Sequence, residues 1–302
     1  MTRRGLRSRL IAPLSSAMIA ALALVTQTQP AQALVPYVYV PPVEELAGAG
    51  LGIAQAASRL LRLGQVDDAA RLAALTVQLL PDDPRGWVLL AEAQLRSNQG
   101  PGAALSLARA KQLDPRNAGI WFAEGSLALR NGHPTEAIKL IDQGLKLDSR
   151  NSGAYFDLGN ARLLLGDPRG ALGAFERASS LRKDFWEAIN NQGLVLFEQG
   201  KTSEAIGRWR SVLKIKPDAA EPSLALAVGL FNASQTNRAE AIALAGKALA
   251  AEPNYVFDSH QKEQLWGPRM RAATQKLLLL SDLKAAVDRA NANASPEGGN
   301  DE

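Results

Sequence analysis

Residues 118–151, AGIWFAEGSLALRNGHPTEAIKLIDQGLKLDSRN, and residues 152–185, SGAYFDLGNARLLLGDPRGALGAFERASSLRKDF, align at an interval of 34. Working outward from this pair, small residues recur at the same interval at Ala57, Ala91, Gly125, Gly159, Gly193 and Ala227. A second register, Ala69, Ala103, Ala137, Ala171 and Ala205, follows twelve residues behind the first. Stacked helix–turn–helix units leave a fixed period of this length, because each unit buries its apolar face only against its neighbours. The expected fold is therefore all-α, with helix pairs repeated along the chain.

The punctuation agrees with that period. Gly132, Gly166 and Gly200 stand where the first helix of a pair needs a left-handed cap, a conformation that penalises a β-carbon. Pro134 and Pro168 stand where the second helix begins and a missing N–H costs nothing. The two small registers mark where paired helices cross closely, so larger side chains there would overpack the crossing by about 1–3 kcal/mol.

These residues resemble the tetratricopeptide-repeat family from Gly50 to Pro253, about two thirds of the chain. Starting repeats at Gly50, Pro84, Ala118, Ser152, Trp186 and Ala220, position 4 reads Ile53, Trp87, Trp121, Tyr155, Ile189 and Ser223. Position 32 reads Pro81, Pro115, Ser149, Lys183, Pro217 and, after an insertion, Pro253, so the third and fourth repeats lack the family's proline. The resemblance implies a right-handed α-solenoid of six helix pairs, each with a helix A and a helix B. In the sixth repeat Glu240-Ala241-Ile242 comes two residues late, which lengthens the turn from Ala233 to Arg238. That turn is either a contact point or a tolerated surface insertion.

The family implies that helix A positions 2, 5, 9 and 12 line a concave groove, with position 13 at its border. Position 5 gives Ala54, Val88, Phe122, Phe156, Asn190 and Leu224, and position 12 gives Leu61, Leu95, Leu129, Leu163, Phe197 and Phe231. Asn160 and Asn190 are the polar groove positions. The borders carry Arg62, Arg85, Arg96 and Arg130 in the first half and Glu187, Glu198 and Glu221 in the second. An apolar floor with opposite charge at its ends suits an amphipathic or extended polypeptide segment. The competing reading is that position 12 packs against neighbouring helices and the charges are ordinary solvated ones. The family's carboxylate clamp needs a lysine at position 5, and no repeat here has one.

Outside the array, residues 1–33 read as an export signal: Arg3, Arg4, Arg7 and Arg9, an apolar run from Leu10 to Val25, and Ala31-Gln32-Ala33 for cleavage. An uncleaved anchor is the alternative, against which stand the short run and Pro13 within it. Residues 34–49 read as an extended arm and lead-in, with Pro36, Pro41 and Pro42 against helix at first. Residues 254–290 read as capping helices that cover the last repeat, with Met270 to Ala290 as one longer helix and Trp266 at a corner. Residues 291–302 read as a disordered tail.

Composition narrows the function. The chain of 302 residues carries a net charge of +4, yet the four leader arginines supply all of it, so nucleic acid is not an expected partner. Nor is membrane insertion expected after cleavage, which leaves peripheral association open. With no cysteine and only His133 and His260, no metal, cofactor or catalytic residue is expected. Asp67-Asp68 and Asp82-Asp83 fit helix starts, where carboxylates favour the positive end of the dipole.

The expected function is a non-enzymatic exported scaffold that binds a polypeptide in its groove. The export signal, the Leu- and Ala-rich array and Leu265-Trp266-Gly267 are also similar to exported tetratricopeptide proteins of cyanobacteria and chloroplasts, some of which help assemble photosynthetic complexes. That similarity sets the thylakoid lumen beside the periplasm. The alternative is an enzyme or subunit acting on envelope polysaccharide, which would require carboxylates from different helices to meet in space.

Overall fold

The computed structural model describes residues 43–295. The expected export signal, the arm as far as residue 42 and the tail from residue 296 lie outside the described residues. Fifteen α-helices, three short 3-10 turns and no strand occur among the described residues. The first twelve helices form six pairs. Repeat 1 is α1 (Val43–Arg62) with α2 (Val66–Leu79), and repeat 2 is α3 (Pro84–Arg96) with α4 (Gly100–Leu113). Repeat 3 is α5 (Ala118–Arg130) with α6 (Pro134–Leu147), and repeat 4 is α7 (Ser152–Leu164) with α8 (Pro168–Leu181). Repeat 5 is α9 (Trp186–Glu198) with α10 (Thr202–Ile215), and repeat 6 is α11 (Ala220–Ala233) with α12 (Arg238–Ala251).

Local chemistry sets the boundaries. Asp83, Asn117, Asn151 and Asp167 precede α3, α5, α7 and α8, and each side chain accepts a backbone N–H from the first turn. Such caps contribute about 1 kcal/mol each. Gly132 and Gly166 turn the chain between helices A and B with φ of 75° and 72°, and Pro134 and Pro168 open the helices that follow. Tryptophans at position 4 tie repeats 2 and 3 to the repeats before them. Trp87 Nε1 donates to the Pro81 carbonyl at 2.8 Å and Trp121 Nε1 to the Pro115 carbonyl at 3.3 Å.

The small register works because its bulk is matched across the crossing. A β-carbon on Gly125 would lie 2.6 Å from Ile141 Cγ1, and one on Gly193 would lie 2.5 Å from Trp209 Nε1. Gly159 meets Phe175 in the same way. Where the register holds alanine in the first two repeats, the residue sixteen positions on shares its core: Ala73 with Ala57 and Leu107 with Ala91. Glycine against Ile, Phe or Trp and alanine against Ala or Leu keep the crossings filled at interior density. Consecutive helices pack along the array, and helix A touches helix A between repeats 2 and 3, 3 and 4, and 5 and 6.

After a 3-10 turn at Pro253–Val256 come α13 (Asp258–Glu263), α14 (Pro268–Leu278), a turn at Ser281–Leu283 and α15 (Lys284–Asn293). The single helix expected over Met270 to Ala290 is two. The apolar stripe Ala273, Leu277 and Leu283 is buried, but Leu279 at the break is 83% exposed. The two halves have different partners: α14 lies on α9 and α11, both A helices, while α15 packs on α12. One straight helix could not serve both. Arg238 holds the corner by pairing with Asp282 at 3.2 Å, so the late start of α12 places a cation where the terminal segment turns. The helix α15 runs to Asn293, past residue 291 where the disordered tail was expected to start.

Candidate functional site

The A helices present one row of side chains per repeat to the same face, and α14 divides that face into two halves. Over α9 and α11 the face is covered. Phe197 and Leu224 are fully buried and Asn190 nearly so, and Phe231 packs against the same core cluster as Met270, Leu277 and Trp266. Over α3, α5 and α7 the face is open, as a groove of about 900 Å³.

The open groove collects Val88, Phe122, Leu129, Phe156, Asn160, Arg96 and Arg130. Leu163 is not with them: it turns into a core cluster with Phe175 and Val195, and Leu164 takes its place at the rim, half exposed. Phe122 is braced against Gly144, where no side chain stands in its way. Phe156 is braced by Phe175 and Phe185, at ring distances of 5.7 and 5.1 Å. Both rings are held on one side and half exposed on the other. Arg85 instead lines a separate cavity of about 510 Å³ between α1 and α3, together with Arg59 and Arg62.

Most of the expected charge gradient is engaged within the chain. Arg85 binds its own N-cap, Asp83, at 2.7 Å and holds that carboxyl below the usual range. Arg96 pairs with Glu92 one turn back, also at 2.7 Å. Glu187 reaches Arg182 at 4.0 Å. Glu198 accepts the Met270 N–H at 2.7 Å and the Arg269 N–H at 3.2 Å, capping the start of α14. Glu221 accepts Trp266 Nε1 at 2.9 Å, and burial pushes its carboxyl up despite that bond and one from Asn190. The acidic end therefore receives the chain's own terminal segment. Arg130 alone of these charges lines the open groove without an ion pair among the described residues.

The floor between the aromatic positions is polar, and spacing from position 5 or 12 gave no hint of it. Ser126 at position 9 of repeat 3 donates to Asp157 at position 6 of repeat 4. One repeat later, with the same separation of 31 residues, Asn191 donates to Asn160 at 3.2 Å. Pairing position 9 with position 6 of the next repeat would have found both. Burial pushes the Asp157 carboxyl up to about 6, the Ser126 hydroxyl opposing the shift. No group of three or more His, Asp or Glu able to hold a metal ion occurs among the described residues, and no helix there is long and apolar enough to cross a membrane.

A tetratricopeptide-repeat profile matches residues 55–118, 122–184 and 156–222. Comparison with curated proteins finds no match. Among solved structures, the Cut9 and Hcn1 hetero-tetramer of the APC/C aligns with a TM-score of 0.63 at 15% identity, covering 78% of this chain and 46% of that one. PilF of Pseudomonas aeruginosa aligns at 0.59 and 16% identity over 73% of this chain and 99% of its own. A thermophilic tetratricopeptide protein of Thermus thermophilus, TTC0263, aligns at 0.54 and 19%, covering 60% and 99%. Identities this low speak for the fold alone, and the fold agrees with the profile. With the profile matching more than half of its length and six helix pairs in register, this chain belongs to the tetratricopeptide-repeat family.

Proposed function

We propose that the chain is a non-enzymatic adaptor, exported to the periplasm or thylakoid lumen, that binds a polypeptide segment in the open groove of repeats 2 to 4 and so serves assembly of a larger membrane or photosynthetic complex. One observation carries the binding reading. The apolar positions that α14 covers on α9 and α11 are left uncovered on α3, α5 and α7, with Phe122 and Phe156 braced from behind. A concave apolar surface with a few convergent polar groups is the usual form of a binding site. The export reading rests on residues 1–33, and the assembly reading on the absence of catalytic spacing in the sequence together with the likeness to exported scaffolds.

A photocrosslinking side chain at Leu129, in the groove, compared with one at Gly173, on the exposed side of α8, tests the binding reading in the native cell. Crosslinks to a polypeptide from Leu129 and none from Gly173 support it, and equal crosslinking from both would sink it. N-terminal sequencing of the mature chain after fractionation tests the export reading, with Leu34 as the expected first residue.

A further inference from the structure

Asp157 stands on α7 at the floor of the open groove, beside Phe156 and opposite Ser126 of α5. Its position is unusual for a carboxylate. It is largely withdrawn from water, the Ser126 hydroxyl is its hydrogen-bonding partner, and no lysine or arginine lies within ion-pair distance among the described residues. The neighbouring charges are otherwise occupied or at the rim: Glu92 and Arg96 neutralise each other on α3, and Arg130 sits exposed at the end of α5. Buried carboxylates are ordinarily paired or ligated, because an isolated charge away from water is costly. Here the open space in front of the carboxylate is where the missing counter-charge would come from.

A polypeptide laid along the groove would remove the remaining water from Asp157. A purely apolar segment would then bury the charge with one hydroxyl for company. A neutral donor would satisfy one lone pair and leave the charge. A lysine or arginine side chain satisfies both and converts a desolvation cost into a short-range attraction at low dielectric. The flanking Phe122 and Phe156 fit the aliphatic stem and the apolar neighbours of such a residue, since long cationic side chains bury their methylenes against apolar surface. The exposed Arg130 at the rim disfavours a second cation and favours an acid at that end.

We propose that Asp157 is the specificity-determining residue of this groove, selecting a partner segment in which a single lysine or arginine is flanked by apolar residues. The inference rests on the groove being the binding site, and the test separates the two. Random 12-residue peptides displayed on phage are selected against the full chain, and selected peptides are synthesised and titrated against the wild type, Phe122→Ala/Phe156→Ala and Asp157→Asn. The expected result is recovery of peptides that lose binding to the double variant and carry one Lys or Arg within an apolar run. These peptides should lose at least about tenfold in affinity on Asp157→Asn. Replacing their Lys or Arg by Gln should cost a similar factor, with little added loss when both changes are combined.

Peptides that depend on Phe122 and Phe156 but show no basic enrichment, or bind Asp157→Asn as well as wild type, overturn the role of Asp157 and leave the groove standing. If no selected peptide loses affinity for the double variant, the groove reading falls and this inference with it. A helical circular-dichroism signal equal to wild type in each variant keeps misfolding from being mistaken for lost recognition.

Discussion

The carboxylate of Glu198 at the end of α9 accepts the backbone N–H of Met270 in the first turn of α14, 72 residues away in sequence, at 2.7 Å. It also accepts the Arg269 N–H. One side chain of the array thus acts as the N-cap of the segment that closes half the groove. N-terminal caps are worth about 0.5–2 kcal/mol, and a carboxylate at a helix N-terminus adds about 0.3–1 kcal/mol more. Glu198→Ala should therefore lower stability by about 1–2 kcal/mol, read as a lower denaturation midpoint. Amide exchange should rise first in residues 268–278, leaving α3 to α8 protected. Uniform loss of protection would show that α14 is integral to the whole array rather than a separately seated lid.

The crossing of Gly193 and Trp209 allows a sharper test. A methyl on Gly193 would collide with the indole edge, and the Trp209 ring, fully buried and packed against Phe197, has little room to retreat. Overpacking costs about 1–3 kcal/mol, while replacing a mid-helix glycine by alanine returns up to about 1 kcal/mol. The collision wins, so Gly193→Ala should destabilise by about 1–2 kcal/mol. Gly173 and Gly207 lie mid-helix with nothing within 4 Å of the added carbon. Alanine there should stabilise by about 0.5–1 kcal/mol. Urea midpoints of the three variants check the signs together.

The array could be read from sequence because its determinants are local and repeated. Gly125, Gly159 and Gly193 recur where helices cross, and Phe122 and Phe156 recur three residues before two of them. The extent of the open groove could not be read that way. It depends on α14 folding back across α9 and α11, and neither Glu198 nor Glu221 announces a partner dozens of residues downstream. The acidic end of the expected charge gradient is engaged for the same reason, since Glu198 and Glu221 meet the terminal segment. Leu163 and Leu164 exchanged roles: Leu163 packs into the core with Phe175 and Val195, and Leu164 stands at the groove rim. Asp157 was hidden because its character comes from desolvation by neighbouring helices, which no spacing along one helix encodes.

The covered half yields its own prediction. Trp266 is buried, stacks near Tyr255 at a ring distance of 5.4 Å and donates Nε1 to Glu221. Trp266→Phe keeps most of the packing but removes one donor from the half-buried Glu221 carboxylate, leaving it the bond from Asn190. An orphaned buried group costs about 1–3 kcal/mol, more when charged. The double change Trp266→Phe/Glu221→Gln removes the charge and should recover part of that loss. A double-mutant cycle measured by urea denaturation should show coupling of at least about 1 kcal/mol, and additive effects would mean that the bond contributes little.

Asp157 sets a pH dependence of unusual sign. Its carboxyl is pushed up from 3.8 to about 6 in the folded chain, so between those values the folded state holds a proton that the unfolded state has released. Stability from this group therefore rises as pH falls through 6 and is complete below 3.8. Asp83 works the other way: Arg85 depresses its pKa, so its contribution is present above 3.8 and is lost as pH falls below that. Comparing wild type with Asp157→Asn isolates the first effect. At pH 7 the asparagine variant should be the more stable by up to about 3 kcal/mol, an upper bound given that the site keeps some contact with water. The difference should shrink to a small remainder at pH 4, where both side chains are neutral in the folded state. Denaturation of the two proteins across pH 4 to 7 reads it directly. A gap that stays constant with pH would mean that Asp157 is ionised throughout and carries no desolvation strain. A gap that closes on acidification would show that the folded chain keeps a destabilising charge in its groove at neutral pH, which is the expected signature of a group held for binding.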